Sequence, residues 1–432
     1  MASTSLGLGE EVKRSKLHPA WIAVGITWLT LVASAGYRSA PSVLIVPLEE
    51  AFGWSRDQIS LAISVNILLY GLTAPFAAAL MERFTVRKVV MSALAAVSLG
   101  AFATVHMTQP WHLVLLWGVV VGVGTGSMAL VFAATVANRW FMKRRGLVTG
   151  ALTAAAATGQ LIFLPALTSL ALDHGWQSVS ITIGIGAAVV IPLIWWGLKE
   201  SPQAIGQKPY GAPEDWVAPE ALKGNAARIA IDSLKRASKV KDFWLLFGTF
   251  FVCGLTTNGL IGTHFIPAAH DHGMHEVLAA SLLALIGVFD VVGTLASGYL
   301  TDRYDPRKLL LFYYGFRGLS LLLLPSILFA TLHPSTLVFV IFYGLDWVAT
   351  VPPTIALCRT VLGPQYGAVI YGWVFTGHQI GASVAALGAA VLRVKLGDYA
   401  LSFYLGGIMS LLAAAAVIFI ARGKSFNEIK NI

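Results

Sequence analysis

The sequence predicts an all-α integral membrane protein, with twelve transmembrane helices arranged as two six-helix bundles. Three observations predict it. Hydrophobic residues make up 56% of the 432 residues and charged residues only 12%, where soluble domains carry about a quarter charged; too few charges exist to coat a water-facing surface. Apolar runs of roughly 20 residues, the length that crosses a bilayer core, recur along the chain. The second half repeats charged landmarks of the first at an offset of 220 residues.

The apolar runs fall at about 19–44, 57–80, 89–109, 111–137, 146–170, 178–198, 242–268, 277–300, 309–331, 336–357, 367–391 and 400–421. Each must be helical, because lipid offers the backbone no hydrogen-bonding partner outside the segment. A transmembrane β-barrel needs short alternating strands, and stretches such as LLLLPSILFA at 321–330 do not alternate. The first run is too long for the apolar core of a signal peptide and lacks a small-residue cleavage pattern, so it is expected to stay as a helix.

Basic residues set the orientation, since Lys and Arg accumulate on the cytoplasmic side. With the N-terminus inside, 25 of the 30 Lys and Arg residues share one side. They include Arg83, Arg87, Lys88, Arg139, Lys143, Arg144, Arg145, Arg303, Arg307, Lys308, Arg359 and the bases from Lys199 to Lys241. Arg56, Arg393 and Lys395 fall in outward loops, and Arg38 and Arg317 lie inside apolar segments. Both termini are therefore expected in the cytoplasm of a cell whose plasma membrane, a bacterial inner membrane, holds the protein. The net charge of +9 reflects sidedness and not affinity for nucleic acid. Only Cys253 and Cys358 occur, which provides neither a disulfide framework nor a zinc set.

The repeat organises the chain. ALMERFTVRKVVMSA, from Ala79, and GYLTDRYDPRKLLLF, from Gly298, pair Glu82 with Asp302, Arg83 with Arg303, Arg87 with Arg307 and Lys88 with Lys308. The same offset relates Gly53 to Gly273 and Arg139 to Arg359. The expected divisions are a bundle over 1–198, a linker loop over 199–241 and a second bundle over 242–432.

GYLTDRYDPRK resembles the G-x-L-x-D-R-x-G-x-R-K motif of the major facilitator superfamily, found after the second and eighth helices. The second copy has Asp305 where Gly is usual, and the first has Ala78, Glu82 and Thr85 at the Gly, Asp and Gly positions. The resemblance implies the major facilitator fold, with parallel halves that rock about a central site. It makes Glu82, Arg83, Arg87, Lys88, Asp302, Arg303, Arg307 and Lys308 a gating latch. Physically, a carboxylate at a helix end can accept bonds from a facing helix N-terminus, and the bases can bind carboxylates, carbonyls or lipid phosphates. Bases that only fix topology would account for the Arg and Lys but not for the acid. WFMKRRGLVTGALTAAAATGQ, at 140–160, resembles the fifth-helix signature of monocarboxylate transporters, and FGWSR, at 52–56, the first outward loop of that family and its bacterial relatives. Small residues at Gly150, Ala154 and Ala157 also suit close helix packing.

Polar groups inside spans are costly in lipid and should face a partner or a watery cavity. Asp290 shares a helical face with Gly287, Thr294 and Gly298. It resembles the eighth-helix Asp of monocarboxylate transporters, which usually carry an Arg four residues later; Thr294 stands there. Arg38 resembles their first-helix Lys and offers a planar fork suited to carboxylate or phosphate, or it snorkels to the outer interface. His378 and Gln379, in the eleventh span, are candidates for proton transfer or ligand contact; a His bonded to a neighbouring helix is the other reading. Arg317 and Asp346 are expected to neutralise each other as a buried pair. Asn66, Tyr70, Asn258, His264 and Tyr371 are further polar candidates, each also readable as helix packing.

Two motifs point elsewhere and are set aside. HDHGMH has metal-like spacing in His270, His272 and His275, but no fourth ligand is in view and an ordinary polar turn explains it. GVGTG, Gly122 to Gly126, imitates a phosphate loop inside an apolar span without a Lys; close helix approach explains it. The absence of a Walker motif argues against ATP-driven pumping.

These readings converge on a secondary active transporter, not an enzyme, moving a small organic solute of the carboxylate type by alternating access. Coupling to protons would run through Asp290. A drug or metabolite exporter is the alternative within the class; the fifth span lacks the Gly-Pro pattern associated with drug/proton antiporters. The expected partners are the solute, protons and the lipid bilayer, with no cofactor, and the expected state is a monomer.

Overall fold

The computed structural model describes residues 18–128, 130–215, 226–301, 303–362 and 367–420, which are helical apart from short turns and an extended segment over 198–215 that carries one 3-10 turn and an isolated β-bridge, Phe141 to Tyr210. The first six spans are α1 (Pro19–Phe52), α2 (Arg56–Phe84), α3 (Val86–Thr104), a broken span of α4 (Pro110–Ser127) and α5 (Leu130–Trp140), α6 (Arg145–His174) and α7 (Trp176–Gly197). A short helix, α8 (Ala226–Ala237), precedes the second six: α9 (Lys241–Asp271), α10 (Glu276–Thr301), α11 (Pro306–Ile327), a broken span of α12 (Pro334–Asp346) and α13 (Val351–Leu362), α14 (Gly367–Leu396) and α15 (Ala400–Ala416). Eleven of these spans are long and apolar enough to cross a bilayer by composition. The twelfth, α6, has 30 residues, about 45 Å of helix. An even number of spans brings both ends of the described chain, with α8, to one face, the linker face.

α1, α2, α6 and α14 overrun the apolar stretches of the sequence by one to two turns, because hydropathy marks the hydrocarbon core while the helix continues through the headgroup region; α3, α11 and α15 stop about a turn short of theirs. Glycine stops α1. α1 runs past Glu49 and Glu50 to Gly53, whose φ of 66° places it in the left-handed region; Gly273, its repeat partner, has φ 82°. A residue without Cβ adopts that conformation at little cost. Thr85 also has a positive φ, 80° with ψ 144°, despite its β-branch, and it stands at a glycine position of the motif. Asp305, at the equivalent position of the second copy, has φ −59° and caps α11 by accepting from the Arg307 N–H. The two turns solve one problem differently.

The sequence reads the fourth and tenth spans as continuous, and the structure corrects both. α4 gives way to α5 after Ser127, and α12 gives way to α13 after Asp346, again about 220 residues apart. In the tenth span the cause is Pro352 and Pro353 in the first turn of α13. Neither has an N–H, which suits a helix start and leaves carbonyls four residues upstream without a helical donor. The Ser297 hydroxyl donates to one of them, Ala349 O, at 2.5 Å.

The halves meet mainly along α2 with α14 and α6 with α10, two contacts that exchange under the repeat. Across the first, the Ser64 and Ser383 hydroxyls each donate to the other's carbonyl at 2.9 Å. Small residues permit this closeness. In α4, a Cβ on Gly122 would sit 3.0 Å from Asn66 Cα and one on Gly126 2.9 Å from Tyr70 Cα, so the GVGTG stretch is a seat for α2.

Candidate functional site

A cavity of about 50 Å³ lies between the halves, lined by Arg38 and Pro41 of α1, Ile63, Asn66, Ile67 and Tyr70 of α2, Asn258, Gly262 and Thr263 of α9, and Gln379 of α14. At roughly 10–15 Å³ per water it holds about four. Local irregularity shapes its walls. Pro41 interrupts the hydrogen-bond ladder of α1, and both α4 and α9 contain π-helical turns, at Val114–Val121 and Leu255–Ile261. Widened turns leave carbonyls in need of donors. The Asn66 amide donates to Trp117 O at 2.8 Å and the Tyr343 hydroxyl to Thr256 O at 2.8 Å. Asn258 sits on the second of these turns.

Arg38 lies with its guanidinium 5.1 Å from the centroid of the Tyr70 ring. Among the described residues no carboxylate pairs with it, and none lines the cavity. The Tyr70 hydroxyl and the Asn258 and Gln379 side-chain amides likewise have no hydrogen-bond partner among the described residues. A cation and three neutral polar groups therefore face one space with their bonding capacity unspent.

Asp290 stands elsewhere. Its Oδ1 accepts from the Thr294 hydroxyl at 2.9 Å and from the Val348 N–H at 2.9 Å, so it holds the break between α12 and α13. Arg317 holds the same break from α11: Nε donates to Asp346 Oδ2 at 2.6 Å, and Nη2 donates to Asp346 O at 2.7 Å and Trp347 O at 3.2 Å. Both side chains of that ion pair are buried. The cluster reaches the cavity through Trp347, whose indole is 3.6 Å from where a Cβ on Gly262 would stand.

The remaining polar candidates pack among helices. His378 stacks on Phe375 with centroids 5.6 Å apart and faces Phe250 at 4.9 Å, with Tyr371 6.0 Å from Phe250; neither His378 nor Tyr371 is on the cavity wall. His264 is bonded to Ala386 O at 2.7 Å and lies 5.2 Å from the Tyr399 ring.

On the face opposite the linker the structure assembles a bridge that sequence reading missed. Arg56 donates to both oxygens of Asp271, at 2.7 and 2.8 Å, and to Glu49 at 2.8 Å. Arg393 donates to Asp271 Oδ2 at 2.6 Å. Glu49 and Arg56 belong to the first half and Asp271 and Arg393 to the second, so the group ties the halves together. Its available signal was opposite charge beside the two repeat-related turn glycines, Arg56 after Gly53 and Asp271 before Gly273. The neighbouring histidines have local partners: His270 with Glu276 at 3.1 Å, His272 with Ala268 O at 2.8 Å, and His275 with the Val277 N–H at 3.3 Å.

On the linker face, the described motif side chains stay within their own halves. Arg87 lies 5.1 Å from the Trp195 ring and donates to Trp195 O at 3.4 Å. Arg307 pairs with Asp305 at 2.7 Å and donates to Ile420 O at 3.0 Å. Arg303 covers the Tyr299 ring at 3.8 Å, and Lys88 and Lys308 are exposed. Glu200 accepts from the Val86 N–H at 3.0 Å and pairs with Arg139; it is a helix-capping acid that the motif does not contain. Asp302, the side chains of Glu82, Arg83 and Arg359, and those of Gly150, Ala154 and Ala157 in the fifth-helix signature lie outside the described residues. Among the described residues α8 bridges the halves on this face: it packs on both α2 and α14, and its Ala230 O accepts from the Trp373 indole at 2.9 Å.

Comparison with known proteins agrees with this geometry. A sequence profile of the Major Facilitator Superfamily matches residues 27–386. An uncharacterized MFS-type transporter of Bacillus subtilis, YcxA, is 26% identical over 384 residues, 84% of this chain and 86% of that one. Monocarboxylate transporter 13 of Rattus norvegicus is 26% identical, covering 92% and 88%, and a gallate transporter of Pseudomonas putida is 25% identical, covering 92% and 91%. The inward-facing, unoccupied crystal structure of a bacterial homolog to the human lysosomal transporter Spinster superposes with a TM-score of 0.73 over 96% of this chain and 99% of that one, at 14% identity.

Proposed function

Because the chain belongs to the Major Facilitator Superfamily, a family of transporters and not of enzymes, we propose that it carries a small organic anion of the carboxylate type across the membrane by alternating access. The observation that carries this reading is Arg38. A guanidinium held between the two halves, in a cavity without a carboxylate among the described residues, is costly to desolvate unless an anion joins it. A planar carboxylate matches its fork. Relatives whose names state monocarboxylate and gallate transport support the same class.

Proton coupling is assigned to Asp290. When ionised, its carboxylate makes a charge-assisted bond to the Val348 N–H; when protonated, that bond weakens and the break between α12 and α13 loosens against the cavity wall at Gly262. Proton occupancy and access are thereby linked. The membrane is proposed to be a bacterial inner membrane, with the linker face cytoplasmic as the positive-inside rule requires.

Uptake of labelled carboxylates into proteoliposomes under an imposed pH gradient tests the reading. Arg38→Gln removes the charge and is expected to lower carboxylate transport at least about 100-fold, the scale of losing a charge-assisted pair in a low-dielectric site. Undiminished transport by the folded variant would overturn the assignment.

A further inference from the structure

Resting on the reading of Arg38 as the carboxylate anchor, we infer that the transported anion also carries hydroxyl groups, and that Gln379 and Asn258 read them from the opposite half of the protein. Gln379 is only 3% exposed and Tyr70 8%, yet the Gln379 amide, the Asn258 amide and the Tyr70 hydroxyl have no hydrogen-bond partner among the described residues. Their polar atoms are not sealed among helices but open onto the cavity, so a ligand that fills it displaces water from them and must replace those bonds. All three line the cavity that holds Arg38. An amide both donates and accepts, as a hydroxyl does, so a hydroxylated ligand satisfies what a bare hydrocarbon would strand. A ligand ammonium finds no carboxylate on the wall, and a second ligand carboxylate finds no second cation, among the residues that line it.

The placement has a mechanical consequence. Arg38 and Tyr70 belong to the first half, Asn258 and Gln379 to the second. A hydroxylated carboxylate spans both, so its binding draws the halves together, while a bare carboxylate engages one half only. Discrimination therefore falls on the maximal transport rate more than on binding, as expected when an interaction forms only during closure.

The test is transport by the full chain in proteoliposomes of matched probes: benzoate, 4-hydroxybenzoate and 3,4,5-trihydroxybenzoate; butyrate and 3-hydroxybutyrate; and, as competitors, phthalate and 4-(aminomethyl)benzoate. In the unsubstituted protein each hydroxylated probe should exceed its bare counterpart in maximal rate by about tenfold or more, the scale of leaving a polar group unpaired when the ligand displaces its water. Gln379→Met and Asn258→Leu should each shrink that ratio, and together bring it to within about twofold of unity. Gln379→Glu should admit 4-(aminomethyl)benzoate, a gain that a misfolded protein cannot produce. The inference is overturned if the unsubstituted protein shows no hydroxyl preference, if it moves none of the probes, if the paired variant keeps the preference, or if phthalate competes as well as 4-hydroxybenzoate. The two readings fail separately. If Arg38→Gln transports bare and hydroxylated probes undiminished, the anchor is wrong; if it abolishes both while the Gln379 and Asn258 variants leave the ratio intact, only the hydroxyl reading is wrong.

Discussion

Asp271→Asn is expected to open the face opposite the linker. Asp271 receives three charge-assisted bonds, two from Arg56 at 2.7 and 2.8 Å and one from Arg393 at 2.6 Å. The side chains are 16%, 6% and 25% exposed for Asp271, Arg56 and Arg393. Removing one partner of a fully buried pair costs about 3–5 kcal/mol. Partial exposure screens this, Glu49 still compensates Arg56, and an Asn oxygen keeps weaker bonds, which leaves about 2 kcal/mol. Since about 1.4 kcal/mol is a factor of ten, the closed-to-open ratio should fall about 30-fold. The assay is the labelling rate of Ile67→Cys, on the cavity wall, by a membrane-impermeant thiol reagent added to that face alone. Cys253 and Cys358 are buried and give little background. Labelling should rise about 30-fold in Asp271→Asn and about fivefold in Arg393→Gln, which loses one bond to the more exposed partner. An unchanged rate, or an increase from the linker face instead, would refute the gate.

Asp290→Asn mimics the protonated carboxyl and should abolish accumulation driven by a pH gradient while leaving counterflow exchange; accumulation at the native rate would remove Asp290 from the coupling. Arg317→Gln leaves Asp346 buried without its cation and should cost about 3 kcal/mol or more, read as a lower thermal midpoint. Arg317→Met with Asp346→Leu should recover much of that loss, and an additive loss would mean the pair is not a unit. Thr85→Gly should raise the midpoint, because it relieves a β-branched residue at φ 80° whose strain, about 1–3 kcal/mol, exceeds the few tenths lost with its long 3.4 Å cap on the Lys88 N–H. A lower midpoint would show that the turn is not strained.

The fold was largely legible because the bilayer leaves few alternatives: runs of fitting length must be helices, and a repeated motif fixes how many form each half. Arg38, Asn66, Tyr70, Asn258 and Gln379 stood out in the sequence as polar residues within spans, and the cavity gathers all five. What stayed hidden depends on partners distant in sequence. Asp290 reads as a cavity residue by its own helix, yet its oxygen is claimed by Val348, whose N–H exists as a free donor only because the tenth span breaks. VPP was visible in the sequence, but its effect is decided by Ser297 and Arg317 from two other helices. Arg56, Asp271 and Arg393 look like ordinary loop charges until the halves meet.

By itself, then, the order of residues determined which segments enter the membrane, how they duplicate and which carry polar atoms, since each is a property of one segment and its solvent. Only the tertiary structure decided which polar groups pair and which remain without partners, because that depends on how two halves close on each other. The unspent hydrogen-bonding capacity at Arg38, Tyr70, Asn258 and Gln379 is a property of that closure, and no single span encodes it.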